Sequence, residues 1–143
     1  MNTTLRRVTT GALAFTAVMG ALLAGAGTAS AHQYGDRLYR GETLEPGESI
    51  SRVGWRLVMQ TDGNLVEYKT NSSGQHTAVC WASNTNTGWG NYAIYQYDGN
   101  FVVYNPWGQA VWASHTMGLP GQTVDINSVG RVYAGHTPIS GAC

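Results

Sequence analysis

The stretch Gln60-Thr-Asp-Gly-Asn-Leu-Val-Glu-Tyr68 returns later in the chain as Gln96-Tyr-Asp-Gly-Asn-Phe-Val-Val-Tyr104. In both copies Gln, Asp, Asn, Val and Tyr occupy alternate positions, which is the period of a β-strand. The Asp-Gly-Asn in the middle is also a tight-turn signal, so each copy is either one bulged strand or a hairpin that turns at its glycine. Either arrangement gathers these five side chains on one surface patch.

The patch combines a carboxylate, two amides, a phenol and one apolar side chain. A carboxylate accepts hydrogen bonds from hydroxyls, an amide donates and accepts, and a phenol does either. An Asp-Gly hairpin turn with ordinary strand tyrosines is the simpler interpretation, but turn chemistry does not explain why Gln and Tyr flank both copies. The repeated polar spacing therefore favours a binding site for a neutral polyol.

Two further segments repeat together with the motif, Trp81-Ala-Ser-Asn-Thr85 and Trp112-Ala-Ser-His-Thr116. The pattern Gln-x-Asp-x-Asn-x-Val-x-Tyr, followed by this tryptophan tag, resembles the mannose-binding motif of the bulb-type lectin domain, the family of the monocot mannose-binding lectins. The likeness extends from about residue 38 to the C terminus. It implies an all-β, β-prism II fold with three pseudo-symmetric antiparallel sheet repeats, in a domain that we predict to span residues 32–143.

The resemblance also implies a role for each motif residue. Asp62 and Asn64 would bind the axial 2-hydroxyl of mannose. Gln60 would bind the 3-hydroxyl and Tyr68 the 4-hydroxyl, while Val66 would pack on the ring carbons. In the second copy the same roles fall to Asp98, Asn100, Gln96, Tyr104 and Val102. The tag tryptophans, Trp81 and Trp112, are expected to fill the centre of the prism.

A third repeat is indicated by spacing. The first tag tryptophan precedes the second motif by 15 residues, and the same count from the second tag reaches Asn127. The nine residues 127–135 keep the glycine and the following apolar pair of the motif, but Val129 and Arg131 replace Asp and Asn, and Gly135 replaces Tyr. We therefore predict three structural repeats, of which the two near residues 60–68 and 96–104 are working sites.

The remaining composition is that of an all-β domain, with short alternating apolar segments between glycine-bearing turns and no helical apolar spacing. The interval from motif to tag is five residues longer in the first copy, and the extra residues lie between 69 and 80. Residues 71–75 in that interval have loop composition, and whether they extend or obstruct the first site is open. Trp89 and Trp107 stand beside glycines in predicted loops, where sugar stacking and contact with a partner are both open.

The N terminus has the pattern of a secretory signal peptide over residues 1–31: Arg6 and Arg7, an uncharged small and apolar run, and Ala-Ser-Ala before His32. We therefore expect a secreted, extracellular protein without membrane insertion. Six basic and eight acidic residues remain after position 31, a formal charge of −2. Because no Lys/Arg cluster is present to neutralise phosphates, nucleic acid is not an expected partner.

Cys80 and Cys143 are the two cysteines, and in an exported protein they are predicted to form a disulfide. The bulb-type resemblance implies a disulfide within the first repeat, from which this pairing departs. A C-terminal tail bound within its own chain cannot also be exchanged with a partner. A homodimer therefore stays open, as does pairing of Cys143 across it.

Two alternatives to a sugar-binding module follow from the residues. Cleavage after Ala31 would make His32 the mature N terminus, which with a second histidine is the copper-binding arrangement of secreted polysaccharide monooxygenases. A glycosidase is not expected, because Asp62 and Asp98 belong to different repeats and would lie too far apart to act as its paired carboxylates. The other alternative is a β-prism scaffold with a protein partner or a bacteriocin-like antagonistic role. We expect no enzyme activity, no catalytic residue, no metal site and no cofactor.

Overall fold

The computed structural model describes residues 34–86 and 89–143, so the predicted signal peptide and His32 lie outside the described residues. The described residues form twelve short β-strands. In chain order they are β1 (Arg37–Tyr39), β2 (Thr43–Leu44), β3 (Ser49–Arg52), β4 (Trp55–Met59), β5 (Leu65–Thr70), β6 (His76–Ala82), β7 (Tyr92–Tyr95), β8 (Phe101–Tyr104), β9 (Ala110–Ala113), β10 (Thr123–Ile126), β11 (Val132–Ala134) and β12 (Thr137–Pro138).

The strands form three four-stranded sheets. Sheet I has the order β3-β4-β5-β6, sheet II the order β2-β7-β8-β9, and sheet III the order β1-β10-β11-β12. Neighbouring strands are antiparallel, and the two N-terminal strands complete sheets whose other strands lie far along the chain. Thr43 pairs with Ile94 in sheet II, and Arg37 pairs with Asp125 in sheet III. The predicted all-β fold of three antiparallel repeats is confirmed.

The three sheets turn one face inward and share one hydrophobic core. Its fully buried members are Leu38, Leu44, Ile50, Leu57, Met59, Leu65, Ala93, Tyr95, Phe101, Val103, Val124, Ile126, Val132 and Ala134. Trp81 and Trp112 pack against this core, with their rings edge to face and their centroids 5.3 Å apart. Large aromatic side chains supply much of the buried area of a small domain. The predicted core role of both tryptophans is therefore confirmed, although each stays partly exposed.

One charged side chain lies inside this core. Glu67 is fully buried on the inward face of β5, between Leu57 of β4 and Trp81 of β6. Its place in the repeat is held by Val103 in sheet II and by Ala134 in sheet III. Neither carboxylate oxygen accepts a hydrogen bond within the described part of the chain.

In every sheet a serine holds the outer hairpin, which is formed by the last two strands of that sheet: β5–β6, β8–β9 or β11–β12. Its hydroxyl oxygen accepts the backbone N–H of the first residue after the motif turn, at 2.9–3.0 Å. The three pairs are Leu65 with Ser83, Phe101 with Ser114, and Val132 with Ser140. The members of a pair are 18, 13 and 8 residues apart, so the outer hairpin is shorter by five residues from each sheet to the next. The third repeat therefore keeps the frame that spacing predicts, without a tryptophan.

The predicted disulfide between Cys80 and Cys143 forms within the chain, with the Cα atoms 5.4 Å apart. The backbone N–H of Cys143 also donates to the carbonyl oxygens of Val129 and Gly130, both at 3.1 Å. The bond thus connects β6 of sheet I to the motif turn of sheet III through the C-terminal tail.

Candidate functional site

Both motif copies form a tight hairpin turn, which decides between the two arrangements that the sequence permits. In sheet I the turn joins β4 to β5: the N–H of Gly63 donates to the carbonyl of Gln60 at 3.1 Å, and the N–H of Gln60 donates to the carbonyl of Asn64 at 2.9 Å. The equivalent bonds of the second copy, between β7 and β8 of sheet II, are both 2.9 Å. Gly63 and Gly99 have φ of 89° and 87°, a left-handed conformation that glycine adopts without steric cost.

The motif aspartate has one oxygen engaged in the turn. Oδ1 of Asp62 accepts the backbone N–H of Asn64, and Oδ1 of Asp98 accepts that of Asn100, both at 2.9 Å. Both carboxylates are exposed. Within the described residues the second oxygen, Oδ2, accepts no hydrogen bond, so it can accept one from a ligand hydroxyl.

The motif asparagine is held by the tryptophan tag. Oδ1 of Asn64 accepts the Ser83 hydroxyl and the Thr85 backbone N–H, both at 3.1 Å. The second copy makes the same two contacts at 3.2 Å. Because the carbonyl end is fixed in this way, the amide Nδ2 is left as the donor of the side chain. Thr85 also donates its hydroxyl to the Gly63 carbonyl at 2.6 Å, which anchors the tag to the turn.

The tag reaches the turn through a left-handed residue. Asn84 and His115 occupy the same tag position, and each has φ of 57°. Asparagine and histidine are among the residues that adopt this conformation most often apart from glycine. The serine and threonine of the two tags have no ligand role in the sequence-based prediction. Their repetition at identical tag positions was the signal for their role in positioning the asparagine.

Glutamine and tyrosine form a pair at the other end of each motif. Nε2 of Gln60 donates to the Tyr68 hydroxyl at 2.5 Å, and Nε2 of Gln96 donates to the Tyr104 hydroxyl at 2.8 Å. The tyrosine O–H and the glutamine Oε1 have no other partner among the described residues. One donor and one acceptor therefore remain available beside the Asp and Asn groups.

The motif valines are almost fully covered. Val66 is 3% exposed and Val102 is 2% exposed, and across the sheet they face Val58 and Ile94. The ring contact that the resemblance implies is therefore restricted to a small patch of each side chain. Packing beneath the polar groups is the larger role that their burial indicates.

The two copies differ in what flanks the tyrosine. The His76 imidazole stacks on the Tyr68 ring, with centroids 3.9 Å apart and planes 9° apart. Tyr104 instead lies beside Tyr92, with centroids 5.8 Å apart. The longer β5–β6 hairpin causes the difference, because its extra residues lengthen both strands and bring His76 over the tyrosine. Partial desolvation of the stacked ring, and then the charge of Arg56, lower the pKa of His76 and so favour the neutral imidazole.

The residues predicted to insert near the first site are part of this hairpin. Oδ1 of Asn71 accepts the N–H groups of Ser73 and Gln75, which closes a five-residue turn at the tip. Asn105 closes the shorter β8–β9 hairpin in the same way. The insertion therefore extends the sheet beside the first motif. Trp89 and Trp107, the two loop tryptophans, are 84% and 81% exposed.

The third motif frame keeps the turn but lacks the Gln, Asp, Asn and Tyr of the other two copies. Oδ1 of Asn127 accepts the N–H groups of Val129 and Arg131, both at 3.0 Å, and so replaces the turn contact that Asp62 makes in the first copy. The position of the motif tyrosine is Gly135, which has no side chain to offer a ligand. The structure thus brings together the predicted residues of two copies, one on sheet I and one on sheet II.

Residues 34–86 and 89–143 contain no cluster of three or more His, Cys, Asp or Glu side chains that could hold a metal ion. No helix within these ranges has the length and apolar character of a membrane span.

Comparison with known proteins gives several relatives, although no protein-family model matches the chain. The mannose-specific lectin of Narcissus pseudonarcissus is 42% identical over 72 residues, which are 48% of this chain and 59% of the relative. The chain thus spans less than two thirds of that relative. The mannose-specific lectin of Aloe arborescens is 39% identical over 84 residues, which are 55% of this chain and 68% of the relative.

Solved structures with the same fold include plant lectins. An Allium sativum lectin superposes with a TM-score of 0.60 and 37% identity, over 68% of this chain and 90% of that one. The mannose-specific agglutinin of snowdrop, Galanthus nivalis, in complex with methyl-α-D-mannoside, superposes with a TM-score of 0.59 and 34% identity, over 68% of this chain and 86% of that one.

Proposed function

This chain belongs to the family of bulb-type, monocot mannose-binding lectins with the β-prism II fold, and on that premise we propose that it binds mannose or mannose-containing glycans through residues 60–68 and 96–104. The relatives are lectins, which bind carbohydrates without transforming them. Family membership therefore favours binding over catalysis.

One observation carries the proposal. In both copies the hydrogen bonds within the protein engage one end of the Asp, Asn and Gln side chains and leave the other end free. The groups without a partner in the described residues are an aspartate oxygen, an asparagine amide, a glutamine carbonyl and a tyrosine O–H. Such a fixed set of donors and acceptors matches the adjacent hydroxyls of a pyranose.

Selectivity for mannose would come from the orientation of one hydroxyl. A site built to bind an axial 2-hydroxyl leaves its carboxylate and amide unpaired when the epimer carries that hydroxyl equatorially. In the first copy these groups belong to Asp62 and Asn64, whose orientation the turn and the tag fix before any ligand arrives. The same argument applies to the second copy.

Two sites on different sheets favour a multivalent ligand. A shallow site with a few hydrogen bonds to one sugar has a dissociation constant on the order of 1 mM. Two such sites on one chain, or four on a homodimer, strengthen binding to a branched glycan or a cell surface. We therefore propose a mannose-rich glycan as the natural ligand.

We also propose that the protein is secreted. The sequence of residues 1–31 supports this proposal, although these residues lie outside the described part of the chain. The disulfide between Cys80 and Cys143 is consistent with export, because disulfides persist in oxidising compartments and are rare in the cytosol.

The test is an NMR titration with methyl α-mannoside and, in parallel, methyl α-glucoside, following the side-chain amides of Asn64 and Asn100. Asp62→Asn and Asp98→Asn are suitable variants because an amide oxygen can still accept the turn hydrogen bond. We expect mannoside-selective shifts at both copies, and each variant should lose the shifts of its own copy. Absence of any shift at tens of millimolar mannoside would refute the proposal.

A further inference from the structure

A solvent-open cavity of about 280 Å³ lies on sheet I beyond the first motif. The β3–β4 turn forms one wall, and the tip of the β5–β6 hairpin forms the other. Arg52 and Arg56 line it together with the polar side chains of Ser51, Thr70 and Asn71, and none of its lining residues is acidic. The cavity thus carries two positive charges and no negative one.

Arg56 has no counter-charge in the described part of the chain. Its Nε donates to the Ser51 hydroxyl at 3.1 Å, and its Nη2 points toward the hairpin tip near Gly74. The two Nη groups make no hydrogen bond to described residues. A guanidinium presents its Nη donors as a fork that matches the two oxygens of a carboxylate or phosphate.

Arg52 adds a second positive charge to the same cavity. It is exposed, and one Nη reaches the carbonyl of Ile126 at 3.4 Å. Asp36 is near enough for Arg52 to contribute to the lowering of the pKa of its carboxyl, but both Asp36 oxygens are bound by Arg37 at 2.8 Å. No described acidic side chain therefore neutralises the cavity.

The cavity adjoins the proposed sugar site. Arg56 is the cross-strand neighbour of Tyr68, and its charge contributes to the lowered pKa of His76, which stacks on that tyrosine. In sheet II the place of Arg56 is taken by the uncharged Tyr92, the cross-strand neighbour of Tyr104. The two motif copies are therefore alike in their polar groups and different in the charge beside them.

We propose that this cavity is an oxyanion subsite of the first sugar site. The first site then takes a saccharide that carries a carboxylate or a phosphate, and the second site takes a neutral mannoside. This inference rests on the proposed sugar-binding function, because it assumes that a sugar occupies the first motif. The binding of an anion in the cavity does not need that assumption, since it depends on Arg56 and the cavity alone.

The experiment is an NMR titration of the whole protein with four probes: methyl α-mannoside, inorganic phosphate, mannose 6-phosphate and mannuronate. The Arg56 Nε–H and the backbone amides of residues 52–56 and 70–74 report on the cavity. At least one anionic sugar is expected to bind the first site roughly tenfold more tightly than the neutral mannoside at low salt, as one charge-assisted contact implies. The second site is expected to show no such preference.

Arg56→Gln removes the fork and should abolish the preference at the first site, leaving the second site unchanged. Lys69→Gln is the matched control, since it removes one charge from the same hairpin outside the cavity and should keep the preference. Loss of the preference in both variants would overturn the proposal in favour of a general charge effect. Phosphate alone binding as tightly as the better anionic sugar would overturn the saccharide part.

The mannose-binding function and the oxyanion subsite can be refuted independently of each other. If methyl α-mannoside binds both motifs but no anion shifts the cavity resonances, the oxyanion subsite is wrong and the lectin function stands. If an anion shifts them in the wild type and not in Arg56→Gln while methyl α-mannoside binds nowhere, the mannose function is wrong and the anion site stands.

Discussion

Replacement of the buried Glu67 by glutamine is expected to stabilise the protein in a pH-dependent way. Burial raises the pKa of Glu67 to about 7 from its ordinary value of 4.5, and the Ser140 hydroxyl lies nearby. That hydroxyl donates to the Gly141 carbonyl at 3.1 Å, so neither Glu67 oxygen receives its proton. The folded protein therefore holds a proton that the unfolded chain releases between these two pH values.

The sign and the size of the effect follow from this difference. Between pH 4.5 and about 7 the native state binds more protons than the unfolded state, so the free energy of unfolding decreases as the pH rises through this window. Above about pH 7 the loss is complete. At about 1.4 kcal/mol for each pH unit, it amounts to roughly 3 kcal/mol.

Urea unfolding followed by tryptophan fluorescence at pH 5, 6, 7 and 8 measures the effect. Near pH 5 Glu67→Gln should differ from the wild type by less than about 1 kcal/mol, and at pH 8 it should be more stable by roughly 3 kcal/mol. Glu67→Val, which copies Val103 of sheet II, should follow the same trend. The exposed Glu45→Gln is the control and should show no such trend. A difference between Glu67→Gln and the wild type that does not change with pH would refute the reasoning.

Three further results are expected. Asn100→Ala should abolish sugar shifts at the second site and lower the free energy of unfolding by about 1–3 kcal/mol, because Ser114 and Thr116 lose their acceptor; Asp98→Asn, the control, should lose binding with little change in the urea midpoint. Replacing Cys80 and Cys143 together by serine should lower stability by about 4 kcal/mol, since the disulfide closes a loop with a sequence separation of 63, and an unchanged melting temperature would contradict this estimate. The His76 ring protons, followed by NMR, should titrate with a midpoint below 6.5, and a midpoint at or above that value would contradict the partial desolvation of this ring by its stacking on Tyr68.

Repetition made the fold and the motif frames predictable from the sequence. Counting from the tryptophan tags placed the third frame at Asn127, and the structure forms the same turn there. Ser140 was not predicted, because the tag that contains it lacks the tryptophan by which the other two are recognised. The relation shows only when the 18-, 13- and 8-residue separations are compared.

The surroundings of the first site could not be predicted from residue spacing. The pairing of β5 with β6 shifts register between Glu67 and Tyr68 and again between Lys69 and Thr70. Each bulge changes which residue of β6 faces a given residue of β5, so simple alternation does not place His76 over Tyr68. Glu67 is a different case, because alternation with Leu65 already assigns it to the inward face. Its burial without a hydrogen bond required the structure.

The asparagine of motifs 60–68 and 96–104 both anchors the tryptophan tag and offers a donor to a ligand, and this restricts how a repeat can change during evolution. Its carbonyl holds the tag and its amide is left for a ligand, so a substitution of this asparagine removes sugar recognition and also loosens the sheet. A repeat can lose this asparagine without unfolding only where other contacts hold the turn and the hairpin. In sheet III, where Arg131 stands in its place, the turn is kept by the side chain of Asn127 at the first motif position and the hairpin by Ser140, a serine without its tryptophan. Sheet III thus shows that a repeat without the motif asparagine still forms its sheet of the prism.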